Sequence, residues 1–311
     1  MISAPVHPLI DRHTHLEGAL DPAWVRRESN RRGLGLPASL EALWSGQAVP
    51  FDGFIEAFLF GAALLDSREA VREATLAAAR RTQAAGGLGF DLWVSPHFLV
   101  VHRRQIQLDA FWRGLEDGFS EIRTWGLRSC VVLDAVNHFG PKHGQAVLDL
   151  ALPELPAFVK GFSTGGLEGC PFRDWAPVFD RARAAGLRIA AHAGENGSSS
   201  NVRDAVLEGG VSRIIHGIRA DAATLDLLAK RHIPVDVCPS SNRALASDVI
   251  PHPLPRMLLA GVRCALGTDD PGVIPCDMNT EVAAARDMGL DDIALARLRQ
   301  NGAEDAWCLT D

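Results

Sequence analysis

The sequence predicts a single α/β domain of the (β/α)8 TIM-barrel type, spanning residues 1–311, with a helical insertion after strand 1. Three observations carry this. Eight short apolar runs recur along the chain, separated by stretches of helical patterning. The runs are nearly continuous in Val, Ile, Leu, Phe and Ala, as parallel strands buried on both faces require. The conspicuous polar residues gather at the C-terminal ends of the runs, where such barrels carry their sites. Barrels of about 250 residues fold as one domain, so the length demands no second one.

The elements follow in order. A strand over 8–13 closes on His13-Thr14-His15. Asp21-Pro22 reads as a helix cap followed by proline at the first helical position, opening an insertion to about Ser67 over the barrel mouth. Ser67 caps a helix that stops at Gly86-Gly87. Strands over 88–96 and 127–135 end in Ser95-Pro96 and at Asp134, and a strand over 158–164 runs into Ser163-Thr164-Gly165-Gly166. A helix from Asp174 to Gly186 leads to a strand over 188–195, closing on His192-Ala193-Gly194-Glu195. A helix from Asn201 to Gly209 precedes a strand over 212–218 that carries His216-Gly217. A helix from Asp221 to Arg231 is closed by Pro234, and a strand over 234–240 holds Cys238-Pro239 ahead of Ser240-Ser241-Asn242. The last strand, 263–269, ends in Thr268-Asp269-Asp270-Pro271, and a final helix spans about 291–308.

Composition excludes several function classes. A net charge of -7, no tyrosine and no Lys/Arg cluster among aromatics argue against nucleic acid as a partner. The six cysteines are scattered without a C-x-x-C pair, as reduced thiols would be. The N-terminus shows no secretory pattern, and the most apolar stretch, Phe54 to Leu65, contains Glu56 and is too short to span a bilayer. A cytoplasmic protein with a small-molecule substrate and no membrane partner is expected.

In a strand, residues i and i+2 share a face, so His13 and His15 can reach one metal ion. His192 ends another strand, and Gly194 permits a turn that sets Glu195 beside the metal rather than on it. Asp269 and Asp270 repel each other unless a cation or proton compensates. Singly, each is as well read as a satisfied core histidine or a solvated turn. Together, three histidines and Asp269 make an N/O set suited to zinc with one position left for water. Glu195, His216 and Asp270 remain as acid, base and second carboxylate.

These motifs resemble the adenosine deaminase family of the amidohydrolase superfamily. The matching pieces are His-Thr-His-Leu-Glu-Gly at 13–18, Gly-Phe-x-x-x-Gly at 161–166, His-Ala-Gly-Glu at 192–195, Ile-His-Gly at 215–217, Cys-Pro-Ser-Ser-Asn at 238–242 and Thr-Asp-Asp-Pro at 268–271. The resemblance implies one Zn2+ per chain, held by His13, His15, His192 and Asp269. It implies that Glu195 donates a proton to the purine ring and that His216 orients and deprotonates the attacking water. Asp270 would hydrogen-bond the five-membered ring and the Gly166 backbone the six-membered ring. The implied reaction is hydrolytic loss of the 6-amino group as ammonia.

The chain departs from the family pattern in three places. Asp11-Arg12 leads into the histidine pair, strand 2 lacks the usual glutamate, and strand 4 reads Ser-Thr-Gly-Gly-Leu-Glu where Asp-Leu-Ala-Gly-Asp-Glu is common. Glu17 is the substrate clue: ribose-reading relatives usually carry aspartate there, whereas glutamate is common in those acting on adenine or 6-aminodeoxyfutalosine. The leading expectation is an adenosine-like 6-aminopurine nucleoside, then adenine or 6-aminodeoxyfutalosine. Two further alternatives are a binuclear amidohydrolase, for which Lys160 would have to serve as the bridging lysine, and a non-catalytic purine-binding barrel.

Overall fold

The computed structural model describes residues 7–310. Eight strands form one parallel sheet in chain order: β1 (Leu9–His15), β2 (Gly87–Val94), β3 (Arg128–Val136), β4 (Val159–Gly165), β5 (Arg188–Ala193), β6 (Arg213–His216), β7 (Val235–Val237) and β8 (Cys264–Leu266). β1 and β8 meet through a single bridge, Thr14 to Asp269, in which the His15 N–H donates to the Asp269 carbonyl at 2.7 Å and the Asp269 N–H to the His13 carbonyl at 2.8 Å. The barrel therefore closes through the residues that also build the site.

The helices are α1 (Pro22–Arg32), α2 (Ala38–Trp44), α3 (Phe51–Ala63), α4 (Arg68–Ala84), α5 (Leu108–Thr124), α6 (Pro141–Ala151), α7 (Phe172–Ala184), α8 (Ser199–Leu207), α9 (Ala222–Lys230), α10 (Pro239–Leu245), α11 (Leu254–Leu259), α12 (Met278–Asp287) and α13 (Asp292–Asp305). The expected insertion is α1 to α3, and Phe51, Phe54 and Phe58 of α3 do line the mouth. Asp21, Ser67 and Asp221 cap their helices as the sequence suggests, each accepting a backbone N–H from three residues on.

Strands 5, 6, 7 and 8 are shorter than the apolar runs. The clearest case is β7, which ends at Val237 because Pro239 has no N–H for the ladder and instead opens α10. Cys238-Pro239-Ser240-Ser241-Asn242 thus turns from strand into helix. All six cysteines are free. No helix of the described residues is long and apolar enough to cross a membrane.

The lower barrel is packed by Trp93, Val132, Ile215 and Trp307, the last brought in by the chain after α13. Arg12, Asp91, Arg213 and Asp236 are sealed there with no exposed side chain: Arg12 pairs with Asp236 at 3.0 Å, and Arg213 with Asp91 at 2.8 Å and Asp236 at 3.4 Å. Asp91 also accepts the backbone N–H groups of Trp307 and Cys308 at 3.1 and 2.8 Å. The Arg213 guanidinium lies 3.9 Å over the Trp307 ring. A register shift in β1 between Asp11 and Thr14 marks the point where the strand supplies both Arg12 to this network and His13 to the site. Gly161 makes room for the plug, since a Cβ there would stand 2.1 Å from the Trp307 ring.

Candidate active site

At the opposite end, the strand termini bring His13, His192, His216 and Asp269 together, with ligand atoms all within 4.8 Å of one another. His15 joins them: its Nε2 lies 3.3 Å from His192 Nε2 and 3.4 Å from Asp269 Oδ1. His13 Nε2 lies 3.2 Å from His192 Nε2 and 3.0 Å from Asp269 Oδ1. His13 packs edge-on against Trp93, which floors the cluster.

Two of these residues sit in the left-handed backbone region, His216 at φ 67° and Asp269 at φ 65°. Side chains with a Cβ rarely adopt it, and such residues concentrate where function over-determines geometry. At Asp269 the cross-strand bridge holds the backbone while Ser241 Oγ donates to Oδ2 at 2.5 Å.

The donor set fits a cation. His192 Nδ1 lies 2.8 Å from the Thr164 carbonyl, so it carries the proton, and Nε2 presents a lone pair to His13 and His15. Burial pushes His13 and His15 down to about 3 and His192 well below its ordinary value. Burial by itself would raise Asp269, but the His13 hydrogen bond and neighbouring imidazoles outweigh it and hold the carboxyl well below its usual range. Lone pairs and an ionised carboxylate facing one point repel unless a positive ion lies between them.

A hydrogen-bond chain separates His216 from that set. The Leu254 N–H donates to His252 Nδ1 at 3.2 Å, so His252 carries its proton on Nε2 and donates to Asn242 Oδ1 at 3.2 Å. Asn242 Nδ2 then donates to His216 Nδ1 at 3.0 Å. Neutral His216 consequently presents Nε2–H, a donor, toward the cluster. His15, without such a chain, is the better fourth donor atom.

Glu195 follows β5, its Oε1 3.7 Å from His216 Nε2, and burial raises its pKa. Its loop is clamped by Glu168: Oε1 accepts the N–H of Glu195 at 2.8 Å, of Asn196 at 3.2 Å and of Gly197 at 3.1 Å, while Oε2 accepts that of Gly194 at 2.8 Å. Arg219 Nε holds the Glu195 carbonyl from the other side at 2.7 Å. Asp270 is raised well above its ordinary value by burial and then by Asp269, Glu17 and Glu195. A Cβ on Gly18 would stand 1.9 Å from Asp270 Oδ1, so only glycine fits there.

His15, His192, Glu195, His216, Asp269 and Asp270 face one cavity of about 350 Å³, with Glu17 and Gly166 in its wall and Phe51, Phe54 and Phe58 around it. Glu17 Oε1 accepts the Ser95 N–H at 2.8 Å while Oε2 has no partner, and burial pushes the carboxyl up to about 7. Every sequence-nominated site residue lies at this end of the barrel. Lys160 does not: it is the second residue of β4, at the far end of the strand from the cluster. Sequence reasoning assigned no role to Glu168, Asn242, His252 or Asp134, which take part only through distant partners.

The adenosine deaminase family profile matches residues 8–311. The adenine deaminase of Cupriavidus pinatubonensis is 32% identical over 308 residues, covering 96% of this chain and 87% of that protein. The aminodeoxyfutalosine deaminase of Acidothermus cellulolyticus is 30% identical over 345 residues, covering 99% and 95%. The crystal structure of an adenine deaminase from Arthrobacter aurescens superposes with a TM-score of 0.87 at 25% identity, over 97% of this chain and 94% of the other. Two of these three relatives are named for adenine and one for aminodeoxyfutalosine, the two alternatives of the sequence reading, and none for adenosine, its leading expectation. With its buried His/His/His/Asp centre and near-complete family match, the chain belongs to the adenosine deaminase family of metal-dependent deaminases.

Proposed function

We propose that the protein hydrolytically deaminates a free 6-aminopurine base, adenine first, with His13, His15, His192 and Asp269 holding one zinc ion. The observation that carries this is the convergence of three imidazole Nε2 atoms and the Asp269 carboxylate at the foot of a cavity that also holds Glu195 and Asp270. The relatives named as adenine deaminases support the base over its nucleoside. When bound, zinc acts as a Lewis acid and lowers the pKa of water from 15.7 to about 7.

The chain's own groups do the rest. Glu195, whose pKa burial raises, gives its proton to ring N1 as the C6–N6 bond is prepared for cleavage. His216 orients the attacking water; its relay favours the tautomer with the proton on Nε2, which supports a donor's role in place of the deprotonating one the resemblance implied. Asp270, also favoured in the neutral form, donates to N7. The Gly166 backbone contacts the six-membered ring. Water adds at C6, its oxygen giving one proton to the Glu195 carboxylate and one to the departing amino group, which leaves as ammonia, and the 6-oxo product remains.

The test is ammonia release by the zinc-loaded protein on adenine, adenosine, 2′-deoxyadenosine, 6-aminodeoxyfutalosine and AMP, with metal stoichiometry measured alongside. Adenine should be turned over fastest at one ion per chain. Adenosine ahead of adenine would restore the nucleoside reading. Two ions per chain would favour a binuclear hydrolase, and no turnover on any substrate would favour a purine-binding barrel.

A further inference from the structure

Asp134, at the end of β3, is 6% exposed and lines the cavity. Its Oδ1 is buried without a hydrogen-bond partner. A buried carboxyl left in this state is costly, and folded proteins keep one where a ligand completes it. The residue opposite leaves it room: a Cβ on Gly165 would stand 2.6 Å from Asp134 Oδ2 and 3.2 Å from the His192 ring. Asp134 therefore lies one small residue away from a metal-site histidine.

Glu195 and Asp270 have partners on the purine in the proposed pose. Of the other carboxyls lining the cavity, Glu17 Oε2 and Asp134 Oδ1 are unpartnered, and each can accept, Asp134 through its carbonyl oxygen even where burial favours its neutral form. They call for a ligand that donates. A 6-aminopurine whose amino group faces the metal has one donor left, the imidazole-ring N–H, and a 9-substituted purine has none on the ring.

We propose that Asp134 is a specificity-determining residue whose Oδ1 accepts the imidazole-ring N–H of an unsubstituted 6-aminopurine. This rests on the deaminase reading above and names the group that selects base over nucleoside. A site built around such a hydrogen bond rejects the analogue lacking it by about 10⁴-fold.

The experiment compares the zinc-loaded parent, Asp134→Asn and Asp134→Ala on adenine, 9-methyladenine and adenosine, with zinc content measured for each. The parent should prefer adenine over 9-methyladenine by about 10⁴-fold in kcat/KM. Asp134→Ala should lose about 100-fold on adenine and little on 9-methyladenine, with zinc retained. Asp134→Asn, which keeps an acceptor and the side-chain shape, should fall between. If the parent deaminates adenine and both variants keep its preference, the inference is overturned and the function stands. If Asp134→Ala does not fold with zinc, Asp134→Leu, which removes the acceptor at closer to the original volume, takes its place, and an unchanged preference in it overturns the inference. A parent that deaminates adenosine but not adenine overturns the base reading itself.

Discussion

The two ends of this barrel both bury charge, and they do so in opposite ways. At the lower end, two arginines and two aspartates are fully enclosed and every charge has a partner of opposite sign at 2.8 to 3.4 Å, with backbone N–H groups filling further lone pairs on Asp91, although Nε of Arg12 and of Arg213 finds no acceptor. At the mouth, Asp134, Asp270 and Glu17 each keep a buried oxygen without a partner, and two residues hold left-handed backbone. A closed network can only stabilise or specify the fold. An open one leaves hydrogen bonds for something not yet bound, at a cost in stability that selection tolerates at sites. The difference separates structural from functional charge without reference to any homologue.

The largest expected effect falls at the mouth. Glu195→Gln removes a proton donor but no metal ligand and should lower kcat by about 10²–10⁴-fold. Zinc content should be unchanged, because Glu195 lies outside the cluster of metal-facing atoms. Undiminished turnover would remove Glu195 from the chemistry and blur the distinction between the two ends.

The mouth was more legible in sequence than the floor, for a physical reason. Metal and proton-transfer groups sit at strand ends, so each interrupts an apolar run with a recognisable residue type, and His13-Thr14-His15 carries its own spacing. Glu168 gives no such sign: its four bonds reach a loop 26 to 29 residues away. Arg12 was visible only as a departure, because its partner Asp236 is 224 positions distant. A signal was nonetheless present: Asp91, Arg213 and Asp236 each place a charge within or at the start of an otherwise apolar strand, and buried charges of both signs demand one another. The ends of the short strands were misplaced because an apolar run does not show where proline or a turn takes over, as Pro239 does.

The floor should respond in stability and not in chemistry. Arg213→Ala strands Asp91 and opens the contact with Trp307, and breaking one partner of a buried pair costs about 3–5 kcal/mol. Denaturant unfolding should register that loss while kcat per zinc-loaded molecule stays within a few-fold. A second variant sharpens the point: Arg213→Met with Asp91→Asn removes both charges, keeps an acceptor for the Trp307 and Cys308 N–H groups, and should recover part of the stability. A collapse of kcat in the folded single variant would mean that the floor is coupled to the site.

Glu281 lies between these extremes and gives the smallest effect. On α12, its Oε2 accepts the Ser240 N–H at 3.0 Å, at the start of α10, which also carries Ser241, the residue that holds Asp269. Its Oε1 is buried without a partner, and burial raises the carboxyl from 4.5 to about 7. A carboxyl raised on folding favours the fold while protonated: its contribution is whole below the unfolded value of 4.5 and is lost as pH rises through about 7. Glu281→Gln keeps an acceptor for Ser240 and cannot ionise. Its stability relative to the parent should therefore climb by about 2 kcal/mol between about pH 5.5 and 8.5. Denaturant midpoints of the two proteins across that range measure the gap. A gap that stays flat would mean Glu281 is already satisfied when ionised, which would place it with the paired charges of the floor.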